Sequence, residues 1–137
     1  MLNVDAPVKE RIWPLDRFVG LADYLAKKNR GEVLLVAGSQ QSVPALPARV
    51  RVLSNLTIPQ LAATIAAARI LVSNDTGPMH LGPALGTPTV GIFSVGLPIH
   101  FRPTGRCDTY VQGNPIESIE LSQVVEAVER VCAAIDR

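Results

Sequence analysis

Residues 73–93 constrain the fold of this chain more than any other stretch. An apolar run ending at Val72 leads into a polar turn, then a helix-like segment, then a second apolar run at residues 89–93. Pro78 fits the first turn of a helix, where its missing N–H is not needed. Gly86 and Pro88 are typical of the end of that helix. The stretch therefore predicts a strand, a short helix and a second buried strand.

The polar turn at residues 74–77 is a candidate anion site. A helix that starts directly after a strand, behind a turn with a glycine, directs backbone N–H groups at one point, which attracts phosphate. We expect Asp75, Thr76 and His80 to lie around this point. Each also has an ordinary structural interpretation, since Asp and Thr commonly cap helices and an isolated His is often structural. The residues alone leave both interpretations open.

Strands and helices alternate along the chain. The pattern predicts a helix from about residue 14 to 28, a helix from Thr57, its cap, through Ala68, and a last helix from Ser118 or Leu121. The strands lie at residues 2–4, 32–37, 50–53, 70–72, 89–93 and 109–111. Because these runs lack polar alternation, we expect an α/β fold with a parallel sheet covered on both faces. Ligands bind such sheets beyond the carboxyl ends of the strands.

Composition excludes several classes of protein. A chain of 137 residues is one domain, and its net charge of +1 with 4% aromatic residues argues against a nucleic-acid partner. Cys107 and Cys132 are too few for a disulfide scaffold or a zinc site. We expect no signal peptide, and the sequence contains no apolar stretch of about 20 residues. No catalytic triad, glycosidase carboxylate pair, dinucleotide fingerprint or P-loop can be built from this sequence.

One stretch of the sequence resembles the signature of glycosyltransferase family 9. It runs from Asp75-Thr-Gly to His80 and continues with Ala84-Leu-Gly-Thr-Pro-Thr-Val90. Arg11-Ile-Trp-Pro14 is similar to that family's Lys-x-Trp-Pro element, and residues 53–61 resemble the segment before its signature strand. The resemblance covers roughly residues 3–102. Family 9 contains the heptosyltransferases of lipopolysaccharide assembly, which use ADP-heptose.

The resemblance implies the GT-B fold, in which two Rossmann-like domains face each other across a cleft. Residues 1–137 resemble only the carboxyl-terminal domain, as a single Rossmann-like, three-layer, donor-binding domain with a short first strand. We expect the amino-terminal acceptor domain, which carries the catalytic base in that family, to be absent. We therefore expect no catalytic residue in this chain, and inverting, metal-independent sugar transfer only together with a partner domain.

The resemblance also assigns donor-binding residues. It places a phosphate-binding cation at Arg11, a ribose contact at Gln40, a residue packing on the base at Leu56, and sugar and diphosphate contacts at Asp75, Thr76, Gly77 and His80. It implies an ADP-linked substrate, no cofactor and no metal. Arg in place of Lys keeps the phosphate-binding charge, whereas Asp5 and Glu10 bring negative charge toward the phosphate position.

The implied partners are the nucleotide sugar and a glycan or lipid-linked acceptor held by the absent domain. A homo- or hetero-oligomer through the exposed cleft face is also expected. The implied location is the cytoplasm, with peripheral contact at the inner membrane. Three alternatives remain: a non-catalytic nucleotide-binding module or subunit of a split protein, a structural remnant without a ligand, and a related GT-B epimerase.

Overall fold

The computed structural model describes residues 1–28, 31–38, 43–94 and 102–137. Within them, the strands and helices lie close to the positions that the sequence predicts. In chain order the elements are β1 (Leu2–Asn3), α1 (Leu15–Lys27), β2 (Val33–Ala37), β3 (Val50–Ser54), α2 (Ile58–Ala67), β4 (Leu71–Asn74), α3 (Gly77–Ala84), β5 (Thr89–Phe93), β6 (Thr109–Gln112) and α4 (Leu121–Ile135). Short 3-10 turns lie at Lys9–Arg11 and Ile116–Ser118.

The described strands form one six-stranded sheet in the order β3-β2-β1-β4-β5-β6. Every neighbouring pair is parallel, which confirms the predicted α/β class. The chain builds the sheet outward from β1 to β3, then returns to the centre and builds the other half from β4. The order in which strands are added to the sheet therefore reverses between β1 and β4, which are parallel neighbours with Leu2 in register with Val72. Such a reversal leaves a crevice at the carboxyl ends of the strands, the usual ligand site of an open α/β sheet.

Both faces of the sheet are covered, as the apolar strands predict. The larger core packs α1 and α4 against one face and contains fully buried Trp13, Phe18 and Leu21. The smaller core packs α2 and α3 against the other face, around Ile65 and Leu71. Among the described residues, no helix combines the length and the apolar character that crossing a membrane would require.

Two local signals place the helices that flank the carboxyl edge. Thr57 starts α2 through a capping box, in which its Oγ1 accepts from the Gln60 N–H at 3.3 Å and its own N–H donates to Gln60 Oε1 at 2.9 Å. The predicted cap is therefore confirmed. Helix α3 lies very close to β5, because a Cβ on Gly82 would come within 2.2 Å of Thr89 Oγ1. This close packing fixes the position of the α3 amino terminus above the sheet.

The amino group of Met1 is buried at the opposite, amino-terminal edge of the sheet. It donates a hydrogen bond to the Ile70 carbonyl oxygen at 2.8 Å. Burial disfavours the charged form and lowers the pKa of this amine from 8.0 to about 6.

In a polypeptide that starts at Met1, we expect the free energy of unfolding to rise by roughly 2 kcal/mol between pH 6 and pH 8. Over that range the unfolded chain still binds the proton that the folded chain has released, so a higher pH favours the folded state. Urea unfolding at several pH values would measure the slope. The acetylated chain keeps the N–H donor but has no titrating amine. Its free energy of unfolding should therefore rise by about 2 kcal/mol less over the same pH range. Equal slopes for the two chains would contradict the prediction.

Candidate functional site

Four loops at the carboxyl edge of the sheet surround a cavity of about 330 Å³. The loops follow β1, β2, β3 and β4, whose carboxyl ends lie at one edge because the strands are parallel. We call it the edge cavity, and its lining includes Asn3, Asp5, Gly38, Leu56, Thr76 and Pro78. Leu56 and Thr76, two of the predicted donor-binding residues, are thus brought together here.

Arg11 and Asp75, two more of the predicted donor-binding residues, face each other. Arg11 Nη1 lies 3.9 Å from Asp75 Oδ2, which is close enough for attraction but too long for a hydrogen bond. The Asp75 side chain is nearly buried, whereas that of Arg11 is 38% exposed. Arg11 Nε is buried without a hydrogen-bond partner in the described part of the chain. The guanidinium is therefore held in place by charge while it keeps donors for an anion.

The segment that carries Arg11 is anchored on both sides. On one side, the Glu10 carbonyl accepts from Ser94 Oγ at 2.5 Å. On the other, the Trp13 N–H donates to Asn74 Oδ1 at 3.1 Å, and the Trp13 indole N–H donates to the Ile119 carbonyl at 2.9 Å. Asn74 is a site residue that the sequence analysis did not single out, although it stands in the signature turn. Its role could have been suspected from its place directly before Asp75.

The amino terminus of α3 offers fewer free amides than its sequence suggests. The Asp75 N–H donates to the Ile92 carbonyl at 3.1 Å, and the Met79 N–H donates to the Thr76 carbonyl at 3.0 Å. Pro78 has no N–H. The N-cap residue is Thr76, whose side chain makes no capping hydrogen bond within the described residues. The Asp75 carboxylate instead faces Arg11, so its interpretation as the helix cap is wrong, and Thr76 and Gly77 hold the backbone amides of interest.

His80 does not share the edge cavity. Its exposed side chain lines a separate cavity of about 330 Å³ together with Arg102 and Thr104. Of the three residues Asp75, Thr76 and His80, which were expected around one opening, only Thr76 lines the edge cavity. Asp75 faces Arg11, and His80 lies one helical turn farther along α3. Gln40, the predicted ribose contact, lies outside the described residues. In the parts of the chain that the structure describes, no three His, Cys, Asp or Glu side chains group as a metal site.

A comparison with protein families decides the identity of the fold. The family model described as "Glycosyltransferase family 9 (heptosyltransferase)" matches residues 2–127. This chain belongs to glycosyltransferase family 9. No curated protein sequence matches it significantly.

Solved structures agree with the family 9 assignment at the level of the fold. E. coli heptosyltransferase WaaC with ADP is 21% identical at a TM-score of 0.81, and the match covers 95% of this chain and 43% of WaaC. WaaC with ADP-2-deoxy-2-fluoro heptose is 21% identical at a TM-score of 0.77, covering 93% and 41%. E. coli ADP-heptose lps heptosyltransferase II is 19% identical at a TM-score of 0.86, covering 99% and 46%. This family 9 chain thus spans less than half the length of the structures it matches.

Replacing Asn74 with Ala should lower the free energy of unfolding by about 1–3 kcal/mol, because the buried Trp13 N–H would lose its acceptor. Urea unfolding would measure the loss, and amide NMR shifts at Arg11 would report displacement of its segment. Thr64→Ala is the matched control. It removes an exposed side-chain hydrogen bond, from Thr64 Oγ1 to the Gln60 carbonyl, and should change stability by less than about 0.5 kcal/mol. If both variants were equally stable, Asn74 would not anchor the segment.

Proposed function

We propose that this chain is the nucleotide-sugar-binding half of an inverting glycosyltransferase, with ADP-heptose as the donor, in the synthesis of lipopolysaccharide core or a related glycan. The observation that carries this proposal is the position of Arg11 and the α3 amino terminus beside a cavity at the sheet's reversal point, in a family 9 domain. E. coli WaaC, which has a similar fold, was solved with ADP and with ADP-2-deoxy-2-fluoro heptose. Both ligands support a nucleotide sugar as the donor.

The proposed phosphate position lies between Arg11 and the start of α3. A guanidinium can grip a diphosphate through two parallel N–H donors. The positive end of the α3 dipole and the amides of Thr76 and Gly77 add to the attraction. When the sugar leaves the diphosphate, negative charge grows on the phosphate oxygens, and these groups stabilise it without reorganising. Because they supply the positive charge, we propose that the reaction needs no metal ion and no other cofactor.

The remaining residues would hold the two ends of the donor. Leu56, partly buried in the wall of the edge cavity, offers an apolar surface for the base. The Asp75 carboxylate can accept hydrogen bonds from sugar hydroxyls, while Arg11 keeps its charge partly neutralised. His80 would bond to the sugar from the second cavity.

Transfer would require a partner domain. We assign no catalytic base to this chain, and we propose that a glycan or lipid-linked acceptor is delivered by an amino-terminal domain or a partner subunit across the cleft face. Residues 1–137 would then be one donor-binding domain that is inactive alone. We propose a cytoplasmic location, with contact to the inner membrane made through the acceptor.

A non-catalytic nucleotide-binding module, or a subunit of a split protein, is the second candidate. Such a module would bind nucleotides saturably but would not transfer sugar when a family 9 acceptor domain is supplied.

We expect Arg11→Ala to weaken ADP binding about tenfold, because a charge-assisted contact to phosphate is lost. The same variant should bind adenosine as the wild type does. Isothermal calorimetry of the full chain would give both affinities. Lys9→Ala is the matched control, since it removes an exposed positive charge from the same 3-10 turn and should change ADP affinity less than twofold. Equal losses in the two variants would argue against a specific phosphate contact at Arg11, and no binding of ADP by the wild type at millimolar concentration would refute the proposed function.

A further inference from the structure

Strand β3 lies at one end of the sheet, and among the described residues no strand pairs with its outer side. We call this outer side, residues 50–54, the β3 edge. None of its residues is buried, and the Val52 side chain at its centre belongs to a residue that is 38% exposed. Strands at the end of a sheet present N–H and C=O groups that can pair with another chain. The β3 edge is therefore a candidate interaction surface.

The pairing with β2 determines which backbone groups of β3 point outward. The Val33 N–H of β2 donates to the Arg49 carbonyl at 2.8 Å, and Val33 is in register with Val50. Since backbone groups alternate in direction along a strand, the odd-numbered residues bond to β2 and residues 50, 52 and 54 point outward. The Val50 N–H makes a long bond of 3.3 Å to the Pro47 carbonyl. Val52 is thus the centre of the outward row.

Helix α2, which follows β3 in the chain, lacks the charged surface that is usual for an exterior helix. None of its residues, 58–67, is charged, and Ile58 at its start is 76% exposed. Leu53 of β3 and Ala67 of α2 line the same cavity at the amino-terminal edge of the sheet, so the two elements are neighbours. The β3 edge is therefore flanked by an uncharged helix.

The charges at this edge favour a second copy of the chain over an acidic strand. Arg51 is the only charged residue of β3, and it already forms an ion pair with Glu32 of its own chain. The whole chain has a net charge of +1, so two copies repel each other only weakly. In an antiparallel pair centred on Val52, Arg51 lies opposite Leu53 of the second copy, and like charges are not directly opposed.

We propose that two copies of this chain associate through their β3 edges, as an antiparallel pair about a twofold axis at Val52. The Val52 N–H of each copy donates to the Val52 carbonyl of the other, and each Ser54 N–H donates to the Val50 carbonyl of the other. Both α2 helices then lie on the same face of the joined sheet. A symmetric contact closes on itself, so assembly stops at the dimer. This inference uses none of the proposed donor-binding residues and does not depend on the proposed function.

Sedimentation velocity over a concentration series would measure the association, and amide hydrogen exchange would locate it. We expect a reversible dimer with a Kd on the order of 100 µM, because pairing one short strand buries less area than a standard interface. At concentrations above the Kd, the amides of Val52 and Ser54 should exchange severalfold more slowly than in a dilute sample. Those of Arg51 and Leu53, which bond to β2, should change much less.

Val52→Pro removes the outward N–H and keeps the pairing with β2, since proline is tolerated where the N–H of an edge strand faces solvent. It should weaken association by at least about tenfold. Gln112→Pro is the matched control at the other end of the sheet. There the Gly113 N–H donates to the Phe93 carbonyl at 3.0 Å, so the Gln112 N–H points outward from β6. This variant should dimerise as the wild type does.

Val52→Lys is a second variant, for use if the amide spectrum of Val52→Pro is not that of a folded chain. It places like charges opposite each other at the axis and should also weaken the dimer, with partial recovery at high salt.

A wild-type chain that stays monomeric at millimolar concentration would overturn the inference, even if it bound an acidic strand peptide at Val52. Dimers that persist unchanged in folded Val52→Pro would place the contact elsewhere and would also overturn it. Assemblies that both proline variants abolish would indicate head-to-tail pairing of β3 with β6, which contradicts the symmetric dimer.

Discussion

The hydrogen bond from the Trp13 N–H to Asn74 Oδ1 is the contact on which the geometry of this edge depends. It joins the segment after β1 to the end of β4. These are the two central strands between which the order of strand addition reverses. Trp13 is fully buried, and its ring meets Phe18 edge to face at 4.9 Å, so the donor cannot move to another acceptor without opening the larger core. The position of Arg11 opposite Asp75 follows from this anchor.

Charge then divides the edge into regions with different chemistry. Arg11 and Asp75 stand at the reversal point, where attraction at 3.9 Å orients the cation without using its hydrogen-bond donors. Asp5 stands on the other side, inside a cavity whose described lining holds no cation.

Local patterns predicted most of the fold, because the signals for its elements lie within each element. The cap at Thr57, the strand at residues 89–93 and the parallel sheet follow from capping chemistry and from apolar runs without alternation. The site was predicted less completely, because its contacts join distant residues. The bond between Trp13 and Asn74 spans 61 positions, and the approach of Asp5 to Gly38 requires the order of the strands. Neither can be derived from periodicity or spacing.

The placement of His80 shows what this division means for a bound donor. Thr76 and His80 are four residues apart, which along a helix is about 6 Å, yet they line different cavities because α3 lies between the two openings. A small ligand could therefore contact only one of these two residues. A nucleotide sugar has three parts in series, so in the proposed arrangement its nucleoside occupies the edge cavity and its diphosphate crosses the start of α3. Its sugar then extends toward His80, and a partner domain would have to present the acceptor on that side.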